Sequence, residues 1–525
     1  MDTPTPPANP PTTSTGVERA RPYAYYALFV LVLANLFNYL DRQIISVLAP
    51  AIQKDLEFTD AQLGFLLGTA FAVLYGVVGI PMGRIADAFS RTRLMAGGLA
   101  LWSAMTVVSG LASGFIGLGA ARIGVGVGEA TANPVSHSLL SEYFPARNRA
   151  TVLSLYLASV HIGIAIATIF GGLLIQHWSS WCSVFPGDAC SVPSWRAGFF
   201  FVGLPGLLLA VLVALLREPA RVGPKTSLSA RTVVTGELAA AIPPFTLFSL
   251  YRLSGPRAAV KNAVFALAVT LVAIGLSLAT GDWAQWIAVA VGVYSVSTWA
   301  QVLRFRDLPL FKLTFGCPTF MLSMFGGAFV ACFIATIQIW GIPYAMRTLH
   351  EPPGTVGVAV GLVLLSSAAV SIIMGGLVTD RWKRYDRRAP IWIALIAIVG
   401  PVPLLFALLH AQTLGAYVAA FGAMMLLCMS WGGAFAALVQ DLVLPRMRGA
   451  AAATFSLVVA LISSGIGPYW TGKISTMTGS LTTGLYAILI FVPPAVILLV
   501  LAARRIRSET PQARLERARA AGEPV

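Results

Sequence analysis

No soluble core could bury the run "AVFALAVTLVAIGLSLAT" from Ala263 together with the thirteen others like it in this chain. A helix needs about twenty apolar residues to cross about 30 Å of hydrocarbon. Such runs lie at about 23–48, 61–82, 94–113, 115–140, 150–175 and 197–216. A second set lies at about 317–345, 355–378, 389–410, 413–440, 449–470 and 482–502. Two further runs, from Ala263 and Ala284, predict a transmembrane hairpin over 263–303. With 57% hydrophobic and 11% charged residues, the composition lies outside the soluble range. The sequence therefore predicts an all-α membrane protein of about 14 helices.

A net charge of +15 raises the question of nucleic acid, and the placement of the basic residues answers it. An even number of crossings puts both termini on one side. The loops and tails of that side hold 30 of the 36 Lys and Arg; the opposite loops hold Lys54, Arg196, Arg347 and Lys473. By the positive-inside rule the termini are cytoplasmic, and no nucleic-acid partner is needed. The basic C-terminal tail reads as a solvated, partly helical segment, with contact to anionic membrane lipid as a secondary expectation. The start, "MDTPTPPANPPTTSTG", reads as a disordered tail and not as a signal peptide. The expected organisation is a tail at 1–22, a six-helix bundle at 23–216, and a linker at 217–316 that carries the hairpin. A second bundle follows at 317–502, then a cytoplasmic tail at 503–525.

The two bundles repeat one another. "GRIADAFSR" places Gly83, Asp87 and Arg91 at four-residue steps, and "GLVTDRWKR" does the same with Gly376, Asp380 and Arg384. "FPARNRA" and "LPRMRGA" carry a proline shortly before Arg149 and Arg448 at matching places. Internal repeats of this kind mark secondary transporters, whose halves rock about a central site. Gly83, Asp87, Arg91, Arg149, Asp380, Arg384 and Arg448 are therefore candidate gating residues, tying the halves together in one conformation and releasing them in the other.

"GRIADAFSRTR" resembles the loop signature of the major facilitator superfamily, with Ala88 and Ser90 where that signature has Arg and Gly. The first half resembles the Spinster-like branch more closely, in "NYLDR", "RIGVGVGEA" and "SEYFPARNRA". The resemblance implies twelve core helices, alternating access and an amphipathic lipid substrate such as a sphingosine phosphate or lysophospholipid. The hairpin at 263–303 departs from that pattern and is expected to pack peripherally.

Four ionisable residues fall well inside the predicted spans: Asp41, Arg42, Arg122 and Glu129. Charges at such depth are costly and usually functional. Arg122 and Glu129 stand two turns apart on one helical face, about 10 Å along the axis. If the first and fourth helices line the cavity, as the family fold implies, Asp41 reaches Arg122 and Arg42 reaches Glu129. Asp41 and Glu129 are then candidate proton carriers, and Arg42 and Arg122 the grip on an anionic head. The competing reading is a pair of static ion bridges. Further candidate substrate contacts are Asn38, Tyr39, Asn133, Gln338 and Trp340, with Ser46, Thr131, His137 and Tyr344 nearby. Helices seven and ten of the core carry no mid-span charge, so half the cavity wall is apolar, which suits an acyl chain.

Other signals fall away. "GPYWTGK" resembles part of a phosphate-binding loop, but Ile474 stands where Ser or Thr is required. His137, His161 and His410 lack metal spacing, and no nucleophile–base set points to an enzyme. No cofactor is called for, and a monomer is expected. Cys182 and Cys190 share one outer loop and are a candidate disulfide; Cys317, Cys332 and Cys428 read as buried bystanders. The leading function is a proton-coupled exporter. A passive facilitator, a lipid scramblase or a carrier of another small organic anion is the alternative.

Overall fold

In hydrocarbon a backbone N–H or C=O has no water to bond, so each apolar run closes its hydrogen bonds within itself as a helix. The computed structural model describes residues 22–185, 188–219, 230–242 and 245–524. The tail expected at 1–22 lies outside the described residues, except for Pro22. The first half consists of α1 (Pro22–Leu56), α2 (60–88), α3 (Arg91–Leu111), α4 (115–143), α5 (Ala146–Trp181) and α6 (Ser194–Ala214). Between the halves lie α7 (Ala230–Ala241), α8 (Phe245–Ser254), the hairpin α9 (Pro256–Thr280) and α10 (Trp283–Arg306), and the short α11 (Leu308–Leu313). The second half consists of α12 (Pro318–Thr348), α13 (Pro353–Lys383), α14 (Ala389–Leu409), α15 (Leu414–Asp441), α16 (Pro445–Thr478) and α17 (Leu481–Ser508). A last helix, α18, spans Pro511–Arg519.

Thirteen helices among the described residues are long and apolar enough to cross a membrane. The fourteenth, α4, is not the single helix expected over 115–140. It breaks into Phe115–Glu129 and Ala132–Tyr143. Pro134 has no N–H to offer the Ala130 carbonyl, and at the break Thr131 Oγ1 donates to Gly128 O at 2.9 Å. In the second half α15 breaks the same way, into Leu414–Cys428 and Trp431–Asp441. Both first segments are 15 residues long, so the duplication read from the loops extends to the helix breaks. Buried apolar side chains run continuously through the two halves, from Ile44 and Leu48 of α1 to Phe333 and Ile337 of α12.

The face that carries the described chain ends and most of the basic residues is called here the basic face; the other is the far face. The halves meet along two seams, α2 with α16 and α5 with α13. On α5, a Cβ added at Gly172 would stand 2.5 Å from Pro353 O of α13, and one at Gly357 would stand 2.7 Å from Thr168 O. Only glycine allows backbones to approach so closely. Both contacts lie in the far-face half of the membrane. Toward the basic face, Ser154, Leu155, Leu157 and Ala158 of α5 are exposed along one broad face of the helix. Ala369, Val370, Ile372, Ile373 and Met374 of α13 are exposed likewise. The molecule is closed at the far face, and among the described residues no comparably close crossing of α5 and α13 lies toward the basic face.

A polar latch holds the far face shut. Arg347 of α12 donates to both carboxylate oxygens of Asp60, at 3.0 and 3.2 Å, and to Gln53 Oε1 at 2.7 Å. Ser475 of α16 donates to Asp60 Oδ2 at 2.5 Å, and the Ala61 N–H donates to Thr476 Oγ1 at 3.0 Å. Partly exposed pairs contribute about 1 kcal/mol, close to a fivefold population change. Asp60→Asn is therefore expected to shift the equilibrium about fivefold toward a far-face-open form. Spin-label distances across the far face check this, and an unchanged distance distribution would remove the latch role.

On the basic face the C-terminal tail is docked, where a solvated tail was expected. Buried Glu509 accepts from Thr319 Oγ1 at 3.1 Å and pairs with Arg517 at 3.1 Å. Arg446 joins Asp307, at 2.9 Å, to Glu523. The Arg446 guanidinium holds the Glu523 carboxyl below the usual carboxylate range. A depressed carboxylate stabilises above its unfolded pKa and loses that contribution as pH falls through its folded value. The tail is thus expected to resist proteolysis from neutral pH down to about 5 and to become cleavable only in stronger acid. Cleavage that already rises between neutral pH and 5 would refute this.

The hairpin is only half peripheral. Val264, Leu267, Leu271, Val272 and Leu278 of α9 are exposed, as a lipid-facing helix requires. By contrast α10 packs on both halves, with Val73 and Val77 of α2 and Leu461 of α16. Cys182 and Cys190 are joined in a disulfide in the far-face loop after α5.

Candidate functional site

The polar face of α1 decides where the site lies. Asn38, Asp41 and Arg42 lie three and four residues apart, which gathers them on one side of the helix, toward α4. Arg122 and Glu129 answer from α4, two turns apart. Asp41 Oδ1 lies 3.7 Å from Arg122 Nη1, and Thr106 Oγ1 of α3 donates to Asp41 Oδ2. Arg42 Nε donates to Glu129 Oε2 at 2.5 Å. The structure thus brings both pairs together within the first half. Arg122, Asp41 and Glu129 are buried, whereas the Arg42 side chain keeps 21% exposure.

Arg42 also sits in an aromatic cage. Its guanidinium carbon lies 4.9 Å from the Tyr39 ring centre, 4.6 Å from Phe71 and 4.4 Å from Tyr75. Cation–π contact of this kind holds the charge without using up its donors. Arg42 Nη2 remains without a hydrogen-bond partner among the described residues. So do Arg122 Nε and Nη1, Asp41 Oδ1, Glu129 Oε1 and both amide atoms of Asn38. Each such buried group costs about 1–3 kcal/mol. These bridges leave several donors and acceptors without a hydrogen bond among the described residues. The arrangement can exchange partners, an arginine for an anion or a carboxylate for a proton or ammonium.

The other candidate residues divide. Asn133 accepts from Tyr156 OH and donates to Tyr75 OH, each at 3.3 Å, one turn past the break in α4. His137 is exposed and edge-on to the Tyr156 ring at 5.5 Å. Ser46 donates across the halves to Ile339 O. Gln338 lies at the α5–α13 seam, in a small cavity with His161, Leu364, Met425 and Met429. Trp340 and Tyr344 do not face that space. Trp340 is fully buried, its Nε1 donating to Pro468 O at 2.9 Å, and Tyr344 OH donates to Leu409 O at 3.0 Å.

The candidate gating residues are dispersed. Arg91 is buried and bonds to Glu142 and Ser138 of the first half and to Glu218 just after it, with no bond to the second half among the described residues. Arg149 Nε donates to Phe144 O at 3.3 Å, within the first half. Asp380, Arg384 and Arg448 are exposed on the basic face. The side chains of Gly83 and Asp87 lie outside the described ones. Among the described residues the ionic tie between the halves is at the far face, where Asp60 and Arg347 went unread. They are 287 positions apart, with no local signal to link them. Thr106, Phe71 and Tyr75 were missed as well; an aromatic or hydroxyl inside an apolar helix gives no sign of which way it points.

Residues 31–468 match the family model described as Major Facilitator Superfamily. An MFS-type efflux pump of Mycolicibacterium smegmatis is 26% identical over 460 residues, covering 86% of this chain and 84% of that protein. Human Protein spinster homolog 1 is 24% identical over 477 residues, covering 86% of this chain and 73% of that protein. In fold, the chain is similar to a bacterial homologue of the human lysosomal transporter Spinster, crystallised in an inward-facing and occupied conformation. The TM-score is 0.70 at 23% identity, over 94% of this chain and 100% of that one. On its fold, its repeat and a family match that spans most of its length, the chain, similar in sequence and fold to Spinster proteins, belongs to the major facilitator superfamily.

Proposed function

We propose that this transporter is proton-coupled and moves an amphipathic, lipid-like molecule such as a sphingosine phosphate or lysophospholipid out of the cell by alternating access. The observation that carries the reading is the pair of ion bridges, Asp41–Arg122 and Arg42–Glu129, with polar atoms on every member that make no hydrogen bond among the described residues. The Lys and Arg placement supports a cytoplasmic basic face in a cell membrane, in bacteria the inner membrane. The form described is then inward-open. Export is supported by the name of the mycobacterial relative, an efflux pump.

In this mechanism Arg42 and Arg122 receive the phosphate of a zwitterionic head, with the bidentate geometry that guanidinium allows. Asp41 and Glu129 receive its ammonium. A proton arriving from the far side neutralises a carboxylate and displaces the ammonium, so proton and substrate compete and the cycle is antiport. The apolar wall of the second half accommodates the chain. The test is flux of a lysophospholipid in reconstituted vesicles with and without an imposed proton gradient. Uphill flux that needs the gradient supports the reading. Downhill flux indifferent to it leaves a facilitator or scramblase, and flux of small organic anions alone changes the substrate class.

A further inference from the structure

The hairpin α9–α10 makes the two side seams unequal. On the α2–α16 side, α10 lies over the joint at every depth. At the far face Asp282 accepts from Tyr469 OH at 2.8 Å and pairs with Lys473 Nζ at 2.6 Å, both on α16. A turn deeper, Gln285 Nε2 donates to Gly465 O at 2.8 Å. The same carbonyl accepts from Thr69 Oγ1 of α2 at 2.8 Å, so one oxygen of α16 holds both the other half and the hairpin. At mid-depth Val73 and Val77 of α2, Leu461 of α16, and Ala288, Val291 and Val296 of α10 form one apolar cluster. Nearer the basic face Trp299 Nε1 donates to Thr454 Oγ1 of α16 at 3.1 Å. At the surface Glu237 of α7 binds Arg84 of α2 at 2.9 Å and Arg306 of α10 at 3.3 Å.

Among the described residues the opposite seam has no such cover. Its close packing runs from Gly172 and Gly357 to the cavity at His161 and Leu364. Beyond that level Leu155 and Leu157 of α5 and Val370 and Ile373 of α13 are exposed apolar side chains.

We infer that the hairpin is a fixed cover over the α2–α16 seam, and that a lipid-like substrate enters sideways from the bilayer by one route only, between the basic-face halves of α5 and α13. This rests on the lipid-like substrate proposed above. An acyl chain that enters there stays among apolar groups while its head moves to Arg42, so no methylene has to cross water. On the covered side the same chain would have to displace α10 from both halves, breaking the bonds of Gln285 and Trp299 together. The hairpin also gives the halves a common edge about which to rock, with the α5–α13 seam as the side that parts.

The test plugs one side. Ser154 is exposed on α5 outside the charged site; Ser154→Cys is modified with a bulky maleimide in reconstituted protein. Uptake of a long-chain lysophosphatidylcholine is expected to fall by about tenfold or more, as for a blocked gate. Uptake of a short-chain, water-soluble analogue should be unchanged. Loosening the cover with Gln285→Ala and Trp299→Phe should restore part of the long-chain rate. Independently of transport, a photoreactive phospholipid should label Leu157 and Val370 but not Val77 or Leu461. Labelling at Val77, or an adduct that slows both chain lengths alike or neither, overturns the inference. If the unmodified protein moves no lysolipid at all, the proposed substrate class fails, and the labelling pattern alone decides whether the cover exists.

Discussion

Glu129→Gln is expected to bind a zwitterionic lysolipid at least about tenfold more weakly than the parent at pH about 8, and with little dependence on pH. The side chain keeps its shape and loses the charge, which mimics the protonated state. Glu129 is the carboxylate bonded to Arg42, at 2.5 Å, and its other oxygen has no partner within the described chain. Under competition, the variant lacks the acceptor for the ammonium at every pH, and proton-driven transport falls with it. A charge-assisted hydrogen bond is worth about 1.5–3 kcal/mol, which is the source of the tenfold or larger loss. Binding measured at about pH 5.5 and about pH 8, in parent and variant, decides the sign of coupling. Should the variant at high pH bind as well as the parent at low pH, proton and substrate bind together and the cycle is symport. Should neither protein respond to pH, Glu129 is a static partner of Arg42 and the coupling role is lost.

A second large effect is expected at the seam. Gly172→Leu places a side chain where even a Cβ would lie 2.5 Å from Pro353 O and 2.9 Å from Gly357 Cα. Both obstacles are backbone atoms, so no rotamer change relieves the clash. Overpacking of this kind costs about 1–3 kcal/mol or more. Because the clash exists only when the far face is closed, the cost falls on one conformation and shifts the population by about tenfold to a hundredfold. The variant should fold, because each half keeps its own packing. It should stay open at the far face, with spin labels across the α5–α13 seam farther apart and net transport lost. Gly97→Leu, where nothing lies within 4 Å of an added Cβ, is the matched control. An unchanged distance distribution in Gly172→Leu would show that this crossing does not form the closed state.

Much of the architecture was legible because a bilayer leaves few choices. A run of about twenty apolar residues has one stable outcome, and the basic residues sort to one face by a rule that needs no tertiary structure. The break in α4 was legible in principle, since Pro134 cannot donate to Ala130 O, yet hydropathy alone reads straight through it. The helices also run past their hydropathic limits. Thus α1 reaches Leu56, beyond the expected end near 48, and α5 begins at Ala146 directly after Pro145. A helix continues into the interface as long as its own hydrogen bonds do, whatever the polarity of its side chains.

Asp41, Arg42, Arg122 and Glu129 stood out in the sequence because ionised groups are rare at that depth, and their scarcity limits the pairings open to them. That much belongs to composition and helical spacing. What surrounds them does not. Thr106, Phe71 and Tyr75 complete the site from two other helices, and their residue types are common in membrane segments that only pack. Trp340 pointed away from the cavity, because a tryptophan N–H takes whichever buried carbonyl is in reach, here Pro468 O. The Asp60–Arg347 latch and the seat of α10 on both halves depend on residues hundreds of positions apart meeting at one edge. The sequence by itself determined which segments are apolar enough to cross the membrane, that the basic loops share one face, and which four charges fall inside the spans. Only the tertiary structure decided which face is closed, since closure is a contact between two halves that each fold on local rules and touch through glycine backbones and a few long-range bonds.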